Sequence, residues 1–316
     1  MILLSAELES RTKKSLSGLV KRGMNNMRSR RIRFLIVGSL LSAALCCGAQ
    51  THRWNSLYVF GDSYSDSGAG YVDGNGPTAI AYAADDLGIP FTYAGDPNAA
   101  RKGLNFAVSG AQTGSGEGHK FEAKPGAPQV KDALLGYGMR NQVADFTRQV
   151  KAGTIHFDAD RTMFFIAGGL NDRDLPTATT IANLEDEIRE IYHDGGRYFV
   201  VALMPVKIAA FSEPALRLNP ALARIPAELK TTLPGAHVAL SRWGEYFDKV
   251  MESPAQYGIT NATDKCAGRA LFGEDATPCA TPDTYFFYHQ GHPSTAVHKI
   301  VGRELAQELE SVFPAK

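Results

Sequence analysis

Short, nearly unbroken apolar runs alternate along the chain with stretches whose apolar positions recur every three to four residues. A continuous apolar run suits a strand covered on both faces, and the three-to-four spacing suits a helix with one buried stripe. SLYVF (56–60), LNFAV (104–108), RTMFFIAG (161–168), RYFVVALM (197–204) and AHVAL (236–240) are therefore predicted strands. TYFFY (284–288) reads as a short aromatic strand or the approach to a turn. Helices are predicted over 78–87, 141–150, 182–195 and 294–313, the last opened by Ser294 behind Pro293. Strands and helices taking turns predict an α/β fold with a mostly parallel sheet of about five strands. The apolar, proline-broken segment 207–229 follows the fourth strand, either as a lid over the cleft or as an ordinary crossover.

The amino end breaks this pattern. Residues 1–49 carry nine Lys and Arg against two Glu, and the basic stretch runs into FLIVGSLLSAALCC, Phe34 to Cys47. An apolar run of this length is short of the roughly 20 residues that span a bilayer and suits a signal peptide. Cleavage is expected after Ala49, with Met24 or Met27 as a more ordinary start. A lipoprotein signal at Cys46 or Cys47, a twin-arginine signal at Arg30-Arg31 and an uncleaved anchor are the alternatives, and each also leads out of the cytoplasm. The remainder, 50–316, shows no repeat, low-complexity block or linker and reads as one domain in a secreted or periplasmic protein. Cys266 and Cys279, its only cysteines, are expected to form one disulfide in an oxidising compartment, the alternative being two free thiols.

Composition narrows the classes further. At 44% apolar and 21% charged residues the chain is too apolar for disorder. Its zero net charge gives no reason to expect a nucleic-acid partner, and neither a G-x-G-x-x-G after a strand nor a Walker sequence suggests a nucleotide cofactor. No cofactor or metal is expected. His289 and His292 have a spacing that could hold zinc, but no acidic or cysteine partner lies nearby in the sequence.

Parallel sheets present ligands to the carboxyl ends of their strands, so the polar residues following each apolar run are the candidates. Four blocks qualify: FGDSYSDSG (60–68), NFAVSGAQTG (105–114), GGLND (168–172) and HQGHPSTAVH (289–298). Acyl transfer to a serine needs a base, because a hydroxyl at its free pKa is a poor nucleophile, and donors aimed at the developing oxyanion. Ser63 is the candidate nucleophile and His292 the candidate base. The N–H groups of Ser63 and Gly110 and the side-chain amide of Asn171 are the candidate oxyanion donors. Asp66 and Asp172 read as braces of their turns, and His298 as a packed or surface residue.

Together these blocks resemble the GDSL, or SGNH, esterase/lipase family over roughly 57–313. The resemblance implies a three-layer α/β/α fold and hydrolysis of esters, lipids or acetylated glycans. The longer FGDS-x-SD-x-G form, with an export signal and a late cysteine loop, is similar to the secreted lipase, phospholipase and acyltransferase branch. The substrate is then a small-molecule or lipid ester, with transient contact to a membrane surface or lipid aggregate and a monomeric enzyme. Carbohydrate acetylesterase, lipid acyltransferase and a catalytically impaired binding protein are the alternatives.

One position departs from the family. An Asp commonly lies three residues before the catalytic His, and here that position is His289. An imidazole supplies no permanent negative charge to a protonated base. Either a Ser63–His292 dyad uses a backbone carbonyl as orienter, or a distant acid such as Asp283 reaches the base, or activity is weak or absent. His289 itself is kept as a candidate site residue, since a neutral imidazole can accept from His292.

Overall fold

Each apolar run forms a strand because a layer covers it on either side. The computed structural model describes residues 52–68, 72–120 and 134–313, which belong to one compact unit, Gln50–Lys316. The segment read as a signal lies outside the described residues. In chain order the elements are β1 (Ser56–Gly61), α1 (Ala79–Asp86), β2 (Phe91–Tyr93), β3 (Gly103–Asn105), β4 (Glu117–Lys120), β5 (Leu134–Tyr137), α2 (Met139–Lys151), β6 (Thr162–Ala167), α3 (Thr177–His193) and β7 (Tyr198–Ala202). There follow α4 (Ser212–Leu222), α5 (Ile225–Thr232), β8 (His237–Ser241), α6 (Trp243–Glu252), β9 (Asn261–Lys265), β10 (Tyr285–His289), β11 (His292–Pro293) and α7 (Thr295–Ser311).

The central sheet is parallel throughout, in the order β2-β3-β1-β6-β7-β8. One helix layer joins α1, α6 and α7, and the other joins α2, α3, α4 and α5. The fold is thus a three-layer α/β/α sandwich. Leu57, Tyr58, Val59 and Phe60 on β1 and Met163, Phe164, Phe165 and Ile166 on β6 have no exposed surface. Burying each such side chain contributes about 1.5–3 kcal/mol, so the two middle strands are the most firmly held part of the sheet.

The chain passes from β1 out to the edge strand β2, returns through β3 beside β1, and then crosses to β6 on the other side. Such a reversal opens a crevice at the carboxyl ends of the middle strands. The Ser63, Gly110 and Asn171 blocks follow β1, β3 and β6, three neighbours in the sheet, which places them at that crevice.

Several elements depart from the hydrophobic pattern. The sheet has a sixth strand, β2, whose three residues are too few to show a period. Only the first part of 104–108 counts as strand, yet Phe106 N–H donates to Val59 O and Val108 N–H to Gly61 O, so the segment still runs beside β1. Helix α3 begins at Thr177, five residues early, because Pro176 precedes a polar first turn that resembles a loop. The aromatic run 285–289 lies outside the central sheet, in a small sheet ordered β11-β10-β9. Segment 207–229 supplies α4 and most of α5 in the crossover from β7 to β8. The predicted disulfide between Cys266 and Cys279 is formed. Among the described residues, no helix is long and apolar enough to cross a membrane.

Candidate active site

Ser63 stands two residues beyond β1, in a turn fixed by its neighbours. Asp62 O accepts from the N–H groups of Ser65 and Asp66, and Asp62 Oδ1 accepts from Tyr64 N–H at 3.1 Å. Before the turn, Gln142 on α2 holds both backbone groups of Gly61: its Oε1 accepts the N–H at 3.0 Å and its Nε2 donates to the carbonyl at 2.9 Å. A Cβ at Gly61 would stand 2.6 Å from Ala167 O, so only glycine lets β1 run this close to β6. Burial raises the Asp62 carboxyl to about 7, mainly by desolvation, opposed by the Tyr64 N–H.

His292 comes from β11, at the end of a tight hairpin through Gln290 and Gly291. Its Nε2 lies 2.8 Å from Ser63 Oγ and its Nδ1 3.1 Å from Gln290 O. A carbonyl can only accept, so Nδ1 carries the hydrogen and Nε2 presents its lone pair to the serine hydroxyl. Both residues are buried. Desolvation pushes the His292 imidazolium down to about 3, Arg269 adds to this, and Gln290 O opposes it. The resting imidazole is therefore neutral. Tyr64 packs beside it with ring centroids 5.7 Å apart, its hydroxyl donating to Gly291 O at 2.6 Å. Phe211 closes another side at 6.0 Å, delivered by the start of the β7–β8 crossover.

Gly110 adopts φ +78°, a left-handed conformation that glycine takes without strain. The N–H groups of Ser63 and Gly110 donate to no acceptor among the described residues. Asn171 Nδ2 donates to Ala111 O at 2.9 Å, which leaves the second hydrogen of that amide for another partner. Two carboxylates bind the blocks together. Asp66 Oδ2 accepts from Ser109 N–H at 2.8 Å and joins the serine turn to the Gly110 segment. Asp172 accepts from Thr113 N–H at 3.0 Å and from Thr180 Oγ1 at 2.8 Å, joining the Asn171 turn to the same segment. Both act as braces.

His289 lies across the hairpin from His292, with Nδ1 3.3 Å from Ala267 O, and no hydrogen bond joins the two imidazoles. Asp283 is exposed and forms no ion pair with His292. His298 is packed, its Nδ1 accepting Ala79 N–H at 3.1 Å. Among the described residues no cluster of His, Cys, Asp and Glu could hold a metal. Two residues at the site had no signal in the sequence. Asp73, in the loop between β1 and α1, places Oδ2 3.5 Å from His292 Nε2. Arg269, in the disulfide loop, places Nη2 2.8 Å from that same oxygen.

The profile of GDSL-like lipases and acylhydrolases matches residues 57–305, spanning every block just described. The chain belongs to this GDSL-like family. Its activity class is lipolytic ester hydrolysis. No curated protein sequence matches the chain. Among solved structures it is similar to a lipolytic protein of the G-D-S-L family from Desulfitobacterium hafniense, at 10% identity over 80% of this chain and 98% of that one, with a TM-score of 0.44. An aryl esterase from M. smegmatis is 13% identical over 82% of this chain and 100% of its own, with a TM-score of 0.40. A catalytic mutant of the acetylxylan esterase Axe2 from Geobacillus stearothermophilus is 15% identical over 82% and 95%, with a TM-score of 0.43. Likenesses this distant say nothing about what this GDSL-family chain acts on.

Proposed function

We propose that this GDSL-family protein is an exported serine carboxylic-ester hydrolase with Ser63 as nucleophile and His292 as base. The observation that carries the reading is the 2.8 Å approach of Ser63 Oγ to His292 Nε2 while Nδ1 is held at Gln290 O. In the first step Oγ bonds to the ester carbonyl carbon, its proton passes to Nε2, and the carbonyl π pair moves onto oxygen. The Ser63 and Gly110 N–H groups and the Asn171 amide receive that oxyanion. The carbonyl then re-forms, the bond to the leaving alcohol breaks, and Nε2 returns the proton to that alcohol. Water repeats the cycle on the acyl-enzyme. The Gln290 carbonyl orients the ring, so the dyad with a backbone orienter is the favoured form. His289 supports the Ala267 segment beside the base and is not the orienter.

The substrate proposed is an ester with an apolar acyl part, supported by the Tyr64 and Phe211 rings against the base. A carbohydrate acetylesterase wants exposed aromatic platforms, and Trp54 and Trp243, the only tryptophans, are both buried. Export is supported by the basic and apolar amino end and by the disulfide. Fluorophosphonate labelling with peptide mass mapping tests the nucleophile, and turnover across acyl esters of increasing length tests the substrate. Label is expected on Ser63 and none on folded Ser63→Ala, with highest kcat/KM on acyl groups longer than acetyl. Label that persists in Ser63→Ala places the nucleophile elsewhere.

A further inference from the structure

Proton transfer leaves His292 positively charged in a buried site, and its orienting partner is only a carbonyl dipole. The titratable groups facing it come from five elements: Tyr64 in the serine turn, Asp73 before α1, Arg269 in the disulfide loop, His289 on β10 and His298 on α7. Most of them are uncharged. Tyr64 is raised well above its ordinary value, chiefly by burial. His298 is pushed down to about 3 by burial, in keeping with an Nδ1 that accepts a backbone N–H. His289 is lowered, first by desolvation. At neutral pH the formal charges facing the His292 ring are therefore Asp73 and Arg269.

Asp73 is only 2% exposed in its side chain, its Oδ2 is shared between Arg269 and the His292 ring, and its Oδ1 is buried with no hydrogen-bond partner among the described residues. We propose that Asp73 is the counter-charge of this site, a positioning carboxylate delivered by the loop after the nucleophile turn, which stabilises protonated His292 from its Nε2 side under the control of Arg269. This inference rests on Ser63 and His292 acting as proposed above. No atom passes to Asp73. Its charge lowers the free energy of imidazolium in both halves of the cycle, and Arg269 reduces that effect and keeps the resting base neutral. Burial raises the Asp73 carboxyl to about 6, restrained by Arg269 and then by His289, so the counter-charge is lost by protonation in mildly acidic solution. Arg269 follows Cys266 by three residues and is carried by the loop that the disulfide closes. The crosslink thus bears on the charge balance at the base.

The test is the pH dependence of kcat/KM on one soluble ester, together with fluorophosphonate labelling, for the parent, Asp73→Asn and Arg269→Gln. The limb expected in the parent near pH 6 belongs to the coupled Asp73–His292 pair. Asp73→Asn removes both a negative charge beside the base and the group that titrates near pH 6, so the plateau should fall roughly 10- to 100-fold and the limb near pH 6 should disappear, leaving any acid limb well below it. Arg269→Gln removes the opposing positive charge, so the limb should move up. A plateau that falls in Asp73→Asn with the limb unmoved marks a structural role only and overturns the inference. An unchanged plateau and limb in folded Asp73→Asn overturn it too, while Ser63 labelling of the parent keeps the hydrolase reading intact. A parent that carries no label on Ser63 overturns the hydrolase reading and the inference with it.

Discussion

The serine side and the histidine side of the site are held by different means. Ser63 sits just beyond a fully buried strand, its turn fixed by local hydrogen bonds to Asp62 and the strand end by the two long-range bonds between Gln142 and the Gly61 backbone. His292 sits on a two-residue strand outside the central sheet, in a region tied by a disulfide, a hairpin and the ion pairs Lys265–Glu274 and Arg269–Asp73. Contacts inside a dry core lose little to solvent, whereas charges weaken with pH and a crosslink breaks on reduction. The position of the nucleophile is thus a property of the sheet. The proposed electrostatics of His292 is a property of loops from both sides, Asp73 after the serine turn and Arg269 in the disulfide loop.

Asn171→Ala gives the largest expected effect of the variants that sharpen this contrast. The Asn171 turn is braced through Asp172 to Thr113 and Thr180, so the amide is preorganised on the rigid side. Its removal should lower kcat by roughly 10²–10³, the scale of one lost oxyanion donor. Because no charge at His292 changes, the pH profile should keep its shape. A shifted acid limb in Asn171→Ala would mean that the two sides are not electrically separate.

What the sequence revealed follows the same division. Ser63, Gly110 and Asn171 each lie within a few residues of an apolar run, so knowing the strands located them at the crevice. Five of the six central strands were visible for the same reason, and β2 was not, because three half-buried residues at an edge leave no pattern. His292 was marked by the adjoining Pro293 and the Ser294 helix start. Asp73 was invisible: it stands in a run of Asp, Gly and Asn that reads as a turn, and its partners Arg269 and His292 are remote in the chain. No local period encodes an ion pair that forms only when three loops meet. Gln142 was hidden differently, as one polar residue on the buried face of an amphipathic helix, where its two bonds to Gly61 depend on how α2 docks on β1.

Removing the crosslink tests the histidine side alone. A loop of this length, closed by cysteines 13 apart, is expected to stabilise the fold by about 3 kcal/mol. The double variant Cys266→Ser/Cys279→Ser should show that loss in urea unfolding. In the native state its amide protection should fall across 261–289, where Cys279 N–H meets Cys266 O and Ala267 N–H meets Tyr288 O. Protection at Tyr64, Ser65 and Asp66 should stay as in the parent. Equal loss of protection on both sides would show that the serine turn depends on the disulfide loop.

The smallest effect is expected at His289, the position where the family commonly carries an acid. Its ring meets Ala267 O at 3.3 Å and makes no hydrogen bond to His292, so its removal leaves the Nδ1–Gln290 contact in place. What is lost includes a long hydrogen bond and a ring contact with Tyr288, which steady the segment carrying Arg269. A neutral hydrogen bond contributes about 1 kcal/mol, which corresponds to about five- to tenfold in rate. His289→Ala should therefore reduce turnover by roughly tenfold or less, while His292→Ala abolishes it. His289→Gln retains an amide donor that can reach Ala267 O and should recover most of the loss. Burial lowers the His289 imidazolium, so at neutral pH the ring adds little charge, while in acid solution loss of its restraint on Asp73 should move the acid limb slightly up in both variants. If folded His289→Ala proves as inactive as His292→Ala, the ring is an obligatory part of the proton path, and the carbonyl of Gln290 is not a sufficient orienter.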